Sequence, residues 1–231
     1  MAHLLLVDDD SFTRKIAAGV LEEADFTVEE ATSGQEALDI LARQRPELLV
    51  LDIMMPEMDG LELCRRVRAD PFLADLPIVF LTSKDRQEDV ADCLDAGGDD
   101  FVTKSRVAHE LPARVRALLR RSGGGFLDTE ADVLAVGELT LDARKPVMTV
   151  GDTTYHLTPV QHRLMRYLML HRGQPVSVDQ LLEDVWGYHP GTGDPKLVRV
   201  HIAHLRNKIE PQPDDPRYIL NVRGRGYLVN D

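Results

Sequence analysis

Cysteine is scarce: Cys64 and Cys93 are the only two in 231 residues. Both fall in helical patterns and no Cys/His spacing suits zinc, which argues against a disulfide framework and against a structural metal of that kind. Aromatic residues make up 5%, with one tryptophan. No apolar run approaches the roughly 20 residues needed to cross a bilayer. The chain opens on a short apolar tetrad followed by three acids, unlike a leader peptide; a cytoplasmic protein with no membrane partner is expected. Basic residues are outnumbered, 27 Lys and Arg against 39 Asp and Glu, so the net charge is −12. That balance argues at first against nucleic acid, because phosphate contacts supply most non-specific affinity. What remains is an ordinary globular composition, 43% hydrophobic and 29% charged, with a length that favours two domains at roughly 100–200 residues each.

The charge is unevenly spread. Residues 1–121 hold 15 Lys and Arg against 25 acids, whereas 122–231 hold 12 against 14. Within the second half, residues 196–225 carry seven basic side chains and three acids, with His201 and His204 in addition. A basic end therefore sits on an acidic chain.

In the first half, short apolar runs at 4–7, 27–30, 48–51, 78–81 and 101–103 each precede a helical pattern. Five such βα units predict a doubly wound parallel sheet with helices on both faces, an α/β fold. Ser11 precedes the first helix, and Ser33-Gly34-Gln35-Glu36 has the form of a capping box. The last helix, about 110–121, runs into Ser122-Gly123-Gly124-Gly125, a flexible hinge. The expected division is a first domain at 1–121, a linker at 122–132 and a second domain at 133–231. The second domain reads as α+β. Strand-like pieces at 138–141, 147–150 and 153–156 lead to a helix entered by Thr158 and Pro159. Ser177-Val178-Asp179-Gln180 opens a second helix, which Gly187 closes after Trp186. A third helix at about 195–210 precedes a hairpin at 218–229 that turns near Arg223-Gly224-Arg225-Gly226. Three helices and a hairpin wing describe a winged helix-turn-helix.

Ligands of an open parallel sheet bind beyond the carboxyl ends of its strands. Asp8 and Asp9 follow the first strand and Asp52 ends the third, so their carboxylates converge and repel unless protonated or bridged by a cation. A hard divalent ion, Mg²⁺, is the economical partner. Thr82 ends the fourth strand and Lys104 follows the fifth, adding a hydroxyl and an ammonium to the same rim. An Asp nucleophile, a metal and groups to hold phosphoryl oxygens suit phosphoryl transfer. One Asp after a strand is usually a turn former or helix cap; five suitable residues on the ends of four strands are not explained that way.

At about 100° per residue, Val198, Ile202, Leu205 and Ile209 share the buried stripe of the third helix. Lys196, Val200, Ala203 and Asn207 lie opposite, flanked by Arg199 and His204. A small, partly apolar and partly basic face suits a major groove, and Arg223 and Arg225 on the wing strengthen that reading. His201 lies near the edge of the buried stripe and by itself reads as a packed histidine. Trp186 reads as core.

Val7-Asp8-Asp9-Asp10, the run from Leu51 and Asp52 through Met54, Met55 and Pro56 to Gly60, Leu81-Thr82-Ser83, and the run from Asp99 to Lys104 resemble the receiver domain of two-component response regulators, a flavodoxin-like fold. Leu157-Thr158-Pro159, Val185-Trp186-Gly187, Val200-His201-Ile202 and the run from Val222 to Tyr227 resemble the winged-helix effector of the OmpR/PhoB family. The resemblance implies a transcription factor whose Asp52 accepts a phosphoryl group from a sensor histidine kinase, and which is not a turnover enzyme. It implies that Asp8, Asp9, Asp52 and the Met54 carbonyl form the Mg²⁺ shell, that Thr82 and Phe101 are a switch pair, and that Lys104 is the phosphate partner. Met54 and Lys84 occupy positions that tune dephosphorylation. It implies a phosphate contact for His201, base-contacting positions at Leu197, Arg199, Ala203 and His204, and RNA polymerase contacts in the loop 187–194. A homodimer would form through the fourth helix, fifth strand and fifth helix, with Asp100, Glu110, Arg114 and Arg121 among its charged members, raising occupancy of paired half-sites in promoter DNA.

One departure stands out. The family usually follows the lysine with a cis proline, and here Ser105 follows Lys104. A non-proline cis bond costs roughly 3–4 kcal/mol, so a trans peptide, with Lys104 reaching its site by another rotamer and binding phosphate more loosely, is favoured over a strained cis bond imposed by the pocket. Two rivals remain: a winged-helix regulator with a receiver that is never phosphorylated, and an Asp-nucleophile phosphatase. The phosphatase needs a second carboxylate two residues after the nucleophile, where this chain has Met54.

Overall fold

The structure, a computed structural model, describes residues 1–83, 87–122 and 133–230, with the backbone alone for 87–90 and 120–122. It divides into two compact units, Met1–Arg120 and Arg121–Asp231. The linker expected at 122–132 lies outside the described residues except for Ser122, and Lys84 lies outside them too.

In the first unit the strands are β1 (His3–Val7), β2 (Thr27–Ala31), β3 (Leu48–Asp52), β4 (Ile78–Thr82) and β5 (Asp100–Thr103). They alternate with helices α1 (Ser11–Glu22), α2 (Gly34–Leu41), α3 (Gly60–Ala69), α4 (Gln87–Asp95) and α5 (Val107–Ser122). The strands pair in parallel in the order β2-β1-β3-β4-β5. Every residue of β3 and β4 is buried, because helices cover both faces and the strands therefore read as unbroken apolar runs. The edge strand β2 carries Glu29 and Glu30. Chain order reverses between β1 and β3, which makes the crevice between their carboxyl ends the topological switch point.

The register brings the functional positions level. Val7 pairs with Leu51, Asp52 with Leu81 and Thr82 with Thr103. Asp8, Asp52, Thr82 and Lys104 consequently emerge along one rim.

Helix starts follow the sequence with local corrections. Asp10, not Ser11, caps α1: its carboxylate accepts hydrogen bonds from the Phe12 and Thr13 amides and from Thr13 Oγ1 at 2.6 Å. The Thr13 hydroxyl, with these amides, holds the Asp10 pKa below the usual carboxylate value. Ser33 caps α2, yet the Glu36 carboxylate reaches the Thr32 amide and hydroxyl instead of closing the box on Ser33. The fifth helix starts at Val107, after a 3-10 turn at Lys104–Arg106, earlier than the 110 expected, and it accommodates Pro112.

The second unit opens with a four-stranded antiparallel sheet of β6 (Val133–Val136), β7 (Leu139–Asp142), β8 (Val147–Val150) and β9 (Thr153–His156). The first of these was not expected from the sequence. Helix α6 (Pro159–Leu170) enters through a full capping box between Thr158 and Gln161. The short α7 (Val178–Leu181) continues as a π-helical turn, Leu182–Trp186, and ends at Gly187 with φ 78°. Ser177 caps α7, but the Gln180 side chain bonds the Tyr167 hydroxyl instead of completing a box. The third helix, α8 (Pro195–Ile209), is followed by the hairpin of β10 (Ile219–Val222) and β11 (Gly226–Val229). The hairpin is pinned at its base by a bridge between Val176 and Tyr227. Gly226, at φ 113°, has no room for a side chain, since a Cβ there would lie 1.9 Å from the Val176 carbonyl oxygen. No helix among the described residues is long and apolar enough to cross a membrane.

Candidate functional site

At the switch point, one carboxylate oxygen from each of Asp8, Asp9 and Asp52 lies within 4.8 Å of the others. Asp8 is fully buried, Asp52 is 2% exposed and Asp9 faces solvent. Asp8 Oδ1 accepts the Asp10 amide at 2.9 Å. Lys104 Nζ stands 2.9 Å from Asp8 Oδ2 and 3.0 Å from Asp52 Oδ1. The peptide after Lys104 is trans, as are all others described, so Ser105 does not keep the ammonium out of the pocket.

The electrostatics follow from crowding. Burial pushes the Asp52 pKa up to about 6; the Asp8 charge adds to the rise, while Lys104 and the Met54 amide oppose it. Burial works against the Lys104 charge, but its bonds to Asp8 and Asp52 outweigh that and hold its pKa above the ordinary value. Since burial is the main cause of the rise, a cation entering the pocket would favour the charged form of Asp52. Three convergent oxygen donors, one of them open to solvent, fit a hard divalent ion.

Around this cluster, Thr82 is buried at 2% and Phe101, half-buried, packs on the core of the first unit. The Met54 side chain is 73% exposed beside Asp52. Gly60 closes the loop after β3: its amide donates to the Ile53 carbonyl at 2.9 Å, and a Cβ on it would lie 2.0 Å from the Asp52 carbonyl oxygen. Of the residues assigned to a dimer surface, Asp100 is buried and accepts the Phe101 amide, Glu110 pairs with Arg106 at 3.2 Å, and Arg114 is half-buried. The Arg121 side chain lies outside the described residues.

In the second unit, Val198, Ile202, Leu205 and Ile209 form the buried stripe of α8. Arg199, Ala203 and Asn207 are exposed, and Lys196, Val200 and His204 are half-buried on its outer face. Arg223 and Arg225 are exposed at the wing turn. Two expectations need correction. Leu197 is fully buried and His201 is 1% exposed, its ring 5.4 Å from that of Trp186; both side chains lie inside the packing of α8, away from its outer face. The local excess of positive charge also overstates what DNA could meet. Arg206 donates from Nε and Nη2 to the Ile219 carbonyl, Lys208 donates to the His156 carbonyl and Gln161, and Arg217 pairs with Glu138.

Comparison with known proteins accounts for both units. The family model for the response regulator receiver domain matches residues 4–116, and that for the C-terminal part of transcriptional regulatory proteins matches 152–229. The dual master transcriptional regulator RpaA of Synechocystis is 36% identical over 230 residues, 99% of this chain and 95% of that protein. The DNA-binding response regulator MtrA of Mycolicibacterium smegmatis is 39% identical over 226 residues, covering 97% and 95% of the two chains. Among solved structures, DrrB of Thermotoga maritima, an OmpR/PhoB homologue, aligns over the whole of both chains at 28% identity and a TM-score of 0.53.

The chain belongs to the OmpR/PhoB family of response regulators.

As a member, it is a two-component response regulator acting as a transcription factor, and it is not an enzyme in the usual sense. Its receiver implies a phosphodonor kinase and its effector implies promoter DNA. Receiver domains generally bind Mg²⁺ at an acidic pocket, the place that the Asp8, Asp9 and Asp52 cluster takes in this OmpR/PhoB regulator.

Two residues that build the two sites escaped the sequence reading. Arg14 Nη1 donates to the Asp8 carbonyl at 2.8 Å and Nε pairs with Glu30 at 2.9 Å. Glu210, 7% exposed, accepts the amides of Arg217, Tyr218 and Ile219 and so shapes the entry to the wing. A cation one turn into the helix after an acid triad is a signal for the first. For Glu210 nothing local distinguishes a buried anchor from an exposed acid at a helix end.

Proposed function

We propose that Asp52 is the phosphoacceptor, on the observation that it ends β3 at the switch point with Lys104 Nζ 3.0 Å from its carboxylate. A carboxylate oxygen of Asp52 attacks the phosphorus of the donor phosphohistidine. The P–O bond to Asp52 forms, the P–N bond breaks, and the imidazole leaves as the neutral ring after taking a proton. Asp8, Asp9 and Asp52, with the Met54 carbonyl, would hold Mg²⁺, whose positive charge offsets that of the phosphoryl oxygens. Lys104 supplies an ammonium to a phosphoryl oxygen, and a trans peptide with the side chain already in the pocket supports that role. Thr82 and Phe101, on paired strands, form the switch that carries phosphorylation to the fifth strand and helix.

Phosphorylation then favours a receiver homodimer through α4, β5 and α5, with Asp100, Glu110, Arg114 and Arg121 as its charged members. Dimerisation raises occupancy of paired half-sites by two winged helices. Arg199, Ala203, His204 and Asn207, with Lys196 and Val200 at the edge, enter the major groove, and Arg223 and Arg225 contact the backbone from the wing. The loop 187–194 meets RNA polymerase. The protein acts in the cytoplasm, where kinase, promoter and polymerase meet.

Incubation of the full chain with a small phosphodonor and Mg²⁺ tests this. One acid-labile, hydroxylamine-sensitive phosphoryl group should appear, Asp52→Asn should abolish it, and sedimentation should shift towards dimer. Labelling of Asp52→Asn at the wild-type level overturns the assignment and favours a regulator that works without phosphorylation.

A further inference from the structure

The exposed Asp9 carboxylate takes its direction from the backbone that carries it, and that backbone is held from an unexpected side. Arg14 lies in the second turn of α1 with its side chain 15% exposed. Its Nη1 donates to the carbonyl oxygens of Asp8, at 2.8 Å, and Asp9, at 3.4 Å. Those two carbonyls belong to the two peptide planes that flank Asp9. Because each peptide unit is planar, tying both carbonyls leaves Asp9 little freedom in φ or ψ. On the far side Arg14 Nε bonds Glu30 on β2 at 2.9 Å, so one guanidinium clamps the acidic turn to the sheet.

We propose that Arg14 is a positioning residue for the acidic pocket: it holds the 8–10 turn so that Asp8 and Asp9 present their carboxylates together, and thereby sets the affinity for the divalent cation. This rests on the reading of Asp8, Asp9 and Asp52 as a cation-dependent phosphoryl site. An exposed ion pair alone would not do this, since the Glu30 side chain is 45% exposed and solvent screens such pairs. The carbonyl contacts are the part that reaches the pocket. Arginine is required because its planar fork serves β2 and the turn at once, whereas the single ammonium of lysine is a point donor.

The test is direct Mg²⁺ binding to the full chain by calorimetry, with Arg14→Gln, Arg14→Lys and Asp9→Asn beside the wild type. Arg14→Gln should weaken Mg²⁺ binding about tenfold or more, as loss of an outer partner of a metal ligand typically does. Arg14→Lys should fall close to Arg14→Gln, because a single ammonium does not serve the 8–10 turn and Glu30 together. Phosphorylation of Arg14→Gln should need more Mg²⁺ yet reach the wild-type maximal rate, a split that general loss of structure would not produce. Wild-type affinity in Arg14→Gln overturns the proposal while leaving the pocket reading intact. Absence of Mg²⁺ binding by the wild type overturns both. Should Arg14→Gln fail to fold, Glu30→Ala removes the acceptor at the far end of the clamp, and a smaller loss of affinity is expected; unchanged affinity there also overturns it.

Discussion

Lys104 Nζ stands 3.0 Å from Asp52 Oδ1 although the peptide that follows it is trans. The same ammonium lies 2.9 Å from Asp8, so one cation serves two buried carboxylates. A proline is not needed to aim it. The start of the 3-10 turn at Lys104–Arg106 places the side chain over the strand ends. Ser105→Pro should therefore leave the phosphoryl lifetime unchanged, measured by decay of labelled protein; a marked lengthening would show that Lys104 is poorly aimed.

Removing the lysine should be costly. Lys104→Met leaves Asp8 and Asp52 facing each other without the ammonium between them, and breaking a buried pair typically costs about 3–5 kcal/mol. Protonation of Asp52 relieves part of that, so the loss measured by denaturant unfolding in EDTA should be larger at pH 8 than at pH 5.

The Asp52 pKa gives a pH dependence of its own. Burial raises it to about 6 in the folded chain, above the roughly 3.9 of an unfolded aspartate. Between those values the folded state binds more protons, so this group lowers the stability of the cation-free protein as pH rises from about 4 to 6. Above that window the penalty is complete, on the order of 3 kcal/mol. Asp52→Asn should remove it and raise the melting temperature of the cation-free chain at pH 8, and added Mg²⁺ should stabilise the wild type more than the variant.

Gly60→Ala should disturb the site without touching a charged group. Its Cβ would meet the Asp52 carbonyl oxygen at 2.0 Å, so the loop after β3 must shift. Overpacking of this kind costs about 1–3 kcal/mol, and phosphorylation by a small donor should slow with it. An unchanged rate would show that the loop yields without moving Asp52.

On the effector, the seven basic residues of 196–225 should separate into two groups. Arg199→Ala, at an exposed position on α8, should weaken specific DNA binding by about 1–3 kcal/mol and relax sequence preference. Arg206→Ala removes two hydrogen bonds to the Ile219 carbonyl; it should lower the melting temperature of the effector and affect all DNA sequences alike. Footprinting and melting of the two variants decide between these outcomes.

What the sequence determined by itself is whatever depends on near neighbours along the chain. The alternation of apolar runs with helical patterns was enough for five parallel strands. The acids after the first and third runs were enough for a cation-seeking rim, because parallel strands necessarily end on the same side. The 3.6-residue period of α8 separated Val198, Ile202, Leu205 and Ile209 from its outer face. Tertiary structure decided everything that depends on a partner distant in sequence. His201 sits at the edge of its stripe, and the packing of the Trp186 ring against it shows only in three dimensions. Arg206 and Lys208 count as free positive charge until carbonyls of β10 and β9 accept from them. Arg14 looks like an ordinary cation on α1 until its helix folds back over the end of β1 and brings Glu30 of β2 within reach. A hydrogen bond requires both partners in place, and a linear pattern shows only one of them at a time.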